Sequence, residues 1–564
     1  MTNSKNKWWK SSVVYQIYPQ SFNDSNNDGI GDFQGIIAKL PYLKKLGIDV
    51  IWLNPIYQSP LVDNGYDISD YYQVNPMYGT LSDFQELLQK AHELGIRILL
   101  DLVVNHTSNQ HKWFEASKKS KDNEYSDYYI WKDPKPDGSA PNNWGASFGG
   151  SAWTYVPERG QYYLHLFAKE QPDLNWENPK VRQSVYKMMR YWFDMGIDGF
   201  RMDVITLISK RASYPDGPIL PGKPMGSYYA GASNGPRLHE FLKEMNREVL
   251  SKYDALTVGE AANTNADQAI LITDPDRDEL NMVFQFDHMH IDYGKTGKFS
   301  DVKFKLSDLR YSFTHWQKKL YHKGWNSLYW DNHDQPRAVS RFGNDGKYRV
   351  QSAKMLGTVL HMQQGTPYIY EGEEIGMTNA KFASLDQYKD LDTWNIINNF
   401  RKQGLSEDYI KKAVYNKSRD NARTPMQWDN SKNAGFSDGK PWIDMNPNYP
   451  DINVKQALED DDSIFYHYQK LIQLRHQYMV ITDGEYKLIT HDSAVYGYVR
   501  EDDYQILVVI SSFTDKKVNY HLPDNLKNKD GKLLLSNYES SPKKLPNDLF
   551  LEPYESVIYL INKD

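Results

Sequence analysis

The sequence predicts a closed (β/α)8 barrel of the TIM type, with a small domain inserted after its third strand and a C-terminal antiparallel β-sandwich. Three observations predict it. One unit recurs along the chain: an amphipathic helix, a Gly or polar break, a short apolar strand, then polar residues. About eight such strands can be placed, mostly separated by helices. Towards the C-terminus the pattern changes to short strands that follow one another without helices.

The first strand is read at 13–18, and a helix–strand unit follows at 33–54. The clearest unit spans 82–106. Ser82 with Gln85 reads as a capping box. Phe84, Leu87, Leu88, Ala91 and Leu94 keep helical spacing, and Gly95 stops the helix. Residues 96–104 form a buried strand that ends in Asn105-His106. Similar units lie at 181–203, 237–260 and 350–371, with further strands at 281–286 and 327–331. Continuous apolar strands between helices imply a parallel sheet covered on both faces. A doubly wound nucleotide fold would need a Gly-rich phosphate turn after the first strand, and none is present.

Two segments interrupt the alternation. Residues 107–172 lack helical periodicity and are rich in Trp, Tyr, Gly and Asn, the mark of an irregular inserted domain. A long excursion runs from 378 to about 450, after the eighth strand. Short strands then follow at 493–499, 504–511 and 556–560. The expected division is a barrel at 1–106 and 173–480, an insertion at 107–172, and a β domain at 481–564.

Composition narrows the function. A chain of 564 residues with 40% hydrophobic and 25% charged residues has the balance of a globular protein. A net charge of −7 argues against nucleic acid as a partner, because phosphate binding needs a basic footprint. The chain has no cysteine, which excludes disulfides and thiolate metal sites and suits the cytoplasm. No run approaches the roughly 18 apolar residues of a membrane span, and the N-terminus shows no apolar stretch of signal-peptide length. Aromatics reach 14%, with 42 Tyr and 15 Trp; their flat faces suit both core packing and sugar rings.

Barrel active sites lie at the C-terminal strand ends. Those ends here carry Asn54, then Asp101 with Asn105 and His106, Arg201 with Asp203, Glu260, and His333 with Asp334. The motifs DLVVNH (101–106), QPDLNW (171–176), GFRMDVI (199–205), TVGEAA (257–262) and YWDNHDQPR (329–337) occur in that order. This constellation resembles the α-amylase superfamily of glycoside hydrolases from Trp8 to the C-terminus. WWKSSVVYQIYPQSF, NGYDISDY, QGTPYIYEGEEIGMTN and RDNARTPMQW are most similar to its oligo-1,6-glucosidase and dextran glucosidase branch.

The resemblance implies a retaining α-glucosidase that releases glucose from isomaltose, isomalto-oligosaccharides or panose through a covalent glucosyl-enzyme. Retention needs two carboxyls about 5–5.5 Å apart, which adjacent barrel strands can supply. By the family pattern Asp203 is the nucleophile, kept ionised by Arg201. Glu260 is the acid and then the base, with a raised pKa. Asp334 holds sugar hydroxyls, and His106 and His333 donate to them. Asp63, Tyr66 and Arg419 would close the glucose pocket, with Phe148, Phe167 and Gln171 from the insertion. Val204, directly after the nucleophile, goes with α-1,6 cleavage in this branch. Two departures, Ala261 after the acid where relatives often carry Met and Glu371 where Gln is usual, are expected on the leaving-group side.

DSNNDGIGD at 24–32 places Asp24, Asn26 and Asp28 like the first half of a calcium loop. Gly35 stands where an EF-hand would need Glu, so the loop is not an EF-hand. The resemblance implies a structural Ca2+ on Asp24, Asn26, Asp28, the Ile30 carbonyl and Asp32. Three competing readings remain: trehalose-6-phosphate hydrolase, sucrose isomerase and a non-catalytic carbohydrate-binding relative. The stretch FQFDHMHIDYGKTGKF lacks the Arg/Asp-rich loop of the isomerases, and no clear basic cluster for a phosphate is present. A silent relative would have lost the three carboxylates.

Overall fold

The computed structural model describes residues 7–220 and 224–563; the first six residues, part of the N-terminal reading, lie outside the described residues. Eight parallel strands form one sheet: Val14–Ile17, Val50–Leu53, Arg97–Leu102, Gly199–Met202, Leu256–Glu260, Met282–Phe284, Ser327–Leu328 and Thr366–Tyr370. They are called the first to eighth strands. Each neighbours the next in sequence, and the eighth returns to the first. The ring closes between the sixth and seventh through a parallel bridge of Val283 with Asn326. Ser327 Oγ adds a hydrogen bond to the Val283 carbonyl at 2.7 Å.

Alternation along each strand sorts its side chains. Ile51, Leu53, Ile98, Leu100, Phe200 and Met202 face outward and merge with the apolar faces of the helices. Val14, Val50, Trp52, Leu99, Leu256, Val258 and Met282 face inward and plug the barrel. One step further along the same inward register the residues turn polar: Gln16, Asn54, Asp101, Arg201, Asp203 and Glu260. The sheet register sets Arg201 directly beside Asp101 and Val258.

The helix before the third strand starts earlier than the sequence suggests. It runs Leu81–Glu93 with Thr80 as its N-cap, so Ser82 falls inside the first turn. The capping box is Thr80 with Asp83, because only the residue before the first helical one has the extended backbone that the cap requires. The seventh strand stops at Leu328, since Asp331 folds back to accept from the Ala338 amide at 2.8 Å.

Between the third and fourth strands lie the helix Lys112–Ser117 and a three-stranded antiparallel sheet of Trp131–Lys132, Gln161–Leu164 and Trp153–Val156. Trp144–Gly145 pairs with Gly226–Ser227, which ties this segment to the loop after the fourth strand. The excursion after the eighth strand is helical at Leu391–Lys402, Glu407–Lys417 and Asp420–Arg423. Fully buried Arg337 fastens it to the barrel by donating to the Asn421 and Ala422 carbonyls at 3.1 and 3.0 Å.

The C-terminal module has a five-stranded antiparallel sheet, in the order Glu485–Leu488, Val495–Glu501, Gln505–Ser512, Ser556–Asn562 and Gly531–Ser536. A two-stranded sheet of Val518–His521 and Asp548–Leu551 belongs to the same module. Val495, Val508, Ile510, Leu549, Leu551 and Tyr559 of the two sheets share one apolar cluster. Among the described residues no helix is long and apolar enough to cross a membrane.

Candidate active site

Two buried charge clusters stand at the C-terminal rim of the barrel. The first is built around Arg201. Its Nη1 donates to Asp101 Oδ1 at 2.8 Å and Asp203 Oδ1 at 2.9 Å, and its Nη2 donates to Glu260 Oε2 at 2.5 Å. Arg201 and Asp203 are two residues apart on one strand face, and Glu260 ends the next strand. The Asp203 and Glu260 carboxyls thus take hydrogen bonds from the same guanidinium.

Three carboxylates share one guanidinium here, so the cluster holds protons tightly. Burial pushes Asp203 well above the usual range; Glu260 and Asp101 add to this and outweigh Arg201. Burial likewise lifts Asp101 to about 6 against the pull of Arg201. Arg201 pulls Asp203 towards ionisation as expected, but in the substrate-free site burial outweighs it.

The second cluster is built on Arg419 and Arg423, one helical turn apart in the excursion. Arg419 reaches Asp63 at 3.2 Å, Asp334 at 3.1 Å and Asp390 at 2.7 Å. Arg423 reaches Asp334 at 2.9 Å and Asp390 at 3.2 Å. Burial works to raise Asp334, but His333, Arg419, Arg423 and Lys298 outweigh it and hold the carboxyl far below its usual range. Burial lifts Asp63 to about 7, because Arg419 offsets only part of the desolvation.

The histidines are neutral. Burial lowers His106 to about 4 and His333 to about 3. His333 Nδ1 accepts from Gln16 Nε2 at 2.8 Å, so its proton sits on Nε2. That buried Nε2 has no hydrogen-bond partner among the described residues and lies 3.5 Å from Asp334 Oδ2. His106 Nε2 instead faces the Tyr66 carbonyl at 3.1 Å, and Gln171 Nε2 donates to Asp63 Oδ2 at 3.2 Å. The Tyr66 ring stacks on His333, with centroids 5.2 Å apart and planes 7° apart. Phe167 meets His106 at 5.1 Å and Phe148 at 6.0 Å, and the Arg419 guanidinium lies 5.2 Å from the Phe148 ring centroid.

Val204 has φ 35° and ψ 39°, the left-handed region. A β-branched residue there costs about 1–3 kcal/mol. Ala261 and Glu371, the two departures from the branch, are both buried. Ala261 is fully buried in the outer core. Glu371 is also fully buried, and its Oε2 accepts from the Tyr18 amide at 2.8 Å. Burial pushes its carboxyl well up, so it serves as a neutral hydrogen-bonding group, as Gln would. Asp390, Arg423 and Lys298 were missed as site residues. Arg423 lies inside RDNARTPMQW and could have been found there. Asp390 also caps the helix Leu391–Lys402, its side chain accepting from the Thr393 amide.

In the loop 24–32, side-chain oxygens fold back on the backbone. Asp24 Oδ2 accepts from the Gly29 amide at 2.8 Å, Asn26 Oδ1 from Asp28 at 2.9 Å, and Asp28 Oδ1 from Ile30 at 2.9 Å. Gly29 takes φ 91°, the turn that such a loop demands. Asp32 caps the helix Phe33–Leu46 through the Gly35 amide at 2.6 Å.

The family model for the α-amylase catalytic domain matches residues 16–484, and that for the SusG C-terminal domain of α-amylases matches residues 495–558. The chain belongs to the α-amylase family. It is a glycoside hydrolase. It is similar to the oligo-1,6-glucosidase of Parageobacillus thermoglucosidasius, with 56% identity over 98% of this chain and 99% of that relative. The solved trehalose-6-phosphate hydrolase of Bacillus licheniformis superposes with a TM-score of 0.94 at 50% identity, covering 99% of this chain and 100% of that one. The isomaltulose synthase of Erwinia rhapontici NX5 superposes at 0.95 with 43% identity, over the full length of both chains.

Proposed function

We propose that this α-amylase family enzyme is a retaining α-glucosidase of oligo-1,6-glucosidase type, acting on isomaltose, isomalto-oligosaccharides or panose. The observation that carries it is the bridging of Asp203 and Glu260, from adjacent strand ends, by the one Arg201 guanidinium at 2.9 and 2.5 Å. In the first step Glu260 gives its proton to the glycosidic oxygen while Asp203 bonds to the anomeric carbon and the leaving sugar departs. In the second, Glu260 takes a proton from water, whose oxygen displaces Asp203. Asp334, held ionised, and the free Nε2–H of His333 suit sugar hydroxyls. The Asp63–Arg419 pair suits the closed end of the glucose pocket.

A phosphosugar fits the rim less well. Its buried cations are already paired: Arg201 with Asp101, Asp203 and Glu260; Arg419 and Arg423 with Asp63, Asp334 and Asp390; Lys298 with Asp392. A dianion would meet an acidic surround, whereas an oxocarbenium-like centre is favoured by it. The same reading places the enzyme in the cytoplasm, consistent with a chain free of cysteine. It also puts a structural Ca2+ on Asp24, Asn26, Asp28, the Ile30 carbonyl and Asp32, supported by the turn at Gly29.

The test is glucose release from isomaltose beside maltose, sucrose and trehalose-6-phosphate. Isomaltose is expected to lead, and Val204→Thr to move the isomaltose-to-maltose ratio towards maltose by about tenfold, the scale of a small pocket change. Preference for trehalose-6-phosphate or a rearranged sucrose product would overturn the linkage reading.

A further inference from the structure

Val204 carries a strain that its side chain does not explain. Among the described non-glycine residues with positive φ it is the only β-branched one; Asn and Asp, which tolerate the region, make up most of the rest. The strained residue directly follows Asp203, and its amide donates to Glu260 Oε2 at 3.1 Å. That oxygen also takes the bond from Arg201 Nη2. Neither bond falls on Glu260 Oε1, and the Glu260 side chain is 14% exposed.

The surroundings hold the turn in place. Leu207 N donates to the Val204 carbonyl at 2.8 Å, and Asn234 N to the Thr206 carbonyl at 2.9 Å. Ile205 is fully buried against the fifth strand, where a Cβ on Gly259 would fall 2.8 Å from Ile205 Cγ2. With the chain thus fixed on both sides, Val204 can regain a negative φ only by flipping the 203–204 peptide plane. The flip would turn the N–H away from Glu260 and aim the Asp203 carbonyl at it.

We propose that Val204 is a positioning residue whose strained backbone aims its N–H at Glu260 Oε2, pinning that oxygen together with Arg201 and leaving Oε1 to exchange the proton. This rests on Glu260 as the acid and base. Oε1 gives its proton to the glycosidic oxygen as the C1–O bond breaks and the Asp203–C1 bond forms. It takes a proton back from the water that displaces Asp203.

The experiment replaces the 203–204 amide by an ester, installing the hydroxy-acid analogue of valine at 204, and compares kcat/KM on isomaltose and α-glucosyl fluoride. Fluoride leaves without a proton from the enzyme, so only isomaltose depends on a well-placed acid. The ester should lower kcat/KM on isomaltose about 10- to 100-fold, the worth of a hydrogen bond to a carboxylate, and leave fluoride within about twofold. Equal loss on both substrates, or no loss on isomaltose, overturns the proposal. Glu260→Gln tests the underlying assignment separately. In kcat/KM, which reports only formation of the glucosyl-enzyme, it should spare fluoride and abolish isomaltose cleavage, and equal loss on both would remove the acid role itself.

Discussion

The two charge clusters at the barrel rim use the same residue types to opposite ends. Around Arg201, three carboxylates compete for one guanidinium, and burial drives Asp203 up. Around Arg419 and Arg423, Asp334 meets two guanidiniums and stays ionised. The ratio of cations to carboxylates, more than burial itself, separates a site that stores protons from one that grips hydroxyls. The first suits bond making and breaking; the second suits recognition. Asp63 lies between them, with one cation against full burial.

The comparison breaks most sharply at Asp203. Asp203→Asn removes the nucleophile, and kcat on isomaltose should fall about 10,000-fold or more, with the fold intact by circular dichroism. A modest loss would mean that the first cluster does not carry the chemistry. Arg419→Lys probes the second cluster: Lys cannot hold three carboxylates with a planar fork, so kcat/KM should drop roughly 10- to 100-fold. The shape of the pH profile, set by the first cluster, should not change.

Smaller effects sharpen the picture. The folded-state pKa of Asp63 lies above its unfolded value, so the stability tied to its protonation is lost as pH rises through about 7. Asp63→Asn buries no charge. It should raise Tm by about 1–2 °C over wild type at pH 8 and by less at pH 5, while weakening substrate binding. Equal shifts at both pH values would deny the buried charge its cost. Chelation acts outside both clusters: removing Ca2+ with EGTA should lower Tm by about 2–4 °C and leave kcat unchanged, since no reacting group touches the loop 24–32. An unchanged Tm would remove the ion from the account.

Much of this was legible in the sequence, unevenly. The barrel strands were visible because each is a continuous apolar run behind an amphipathic helix. The strands Val518–His521, Gly531–Ser536 and Asp548–Leu551 were not, since they are short and interrupted by polar residues. The cap at Thr80 was misplaced by two residues because Ser82 offers the same chemistry inside the first turn. Ala261 and Glu371 sit beside catalytic motifs in sequence but belong to the core, because strand alternation turns neighbouring residues away from the rim.

The sequence by itself determined the alternation of helix and strand, the polar strand ends, and the spacing that puts Arg201 and Asp203 on one face, for these follow from local periodicity. Only the tertiary structure decided that Glu260 Oε2 takes both Arg201 and the Val204 amide, that Asp390 and Arg423 complete the grip on Asp334, and that Val204 turns left-handed. These features join segments up to 89 residues apart in the chain. No local pattern encodes them, because closure of the barrel and docking of the excursion bring the charges together.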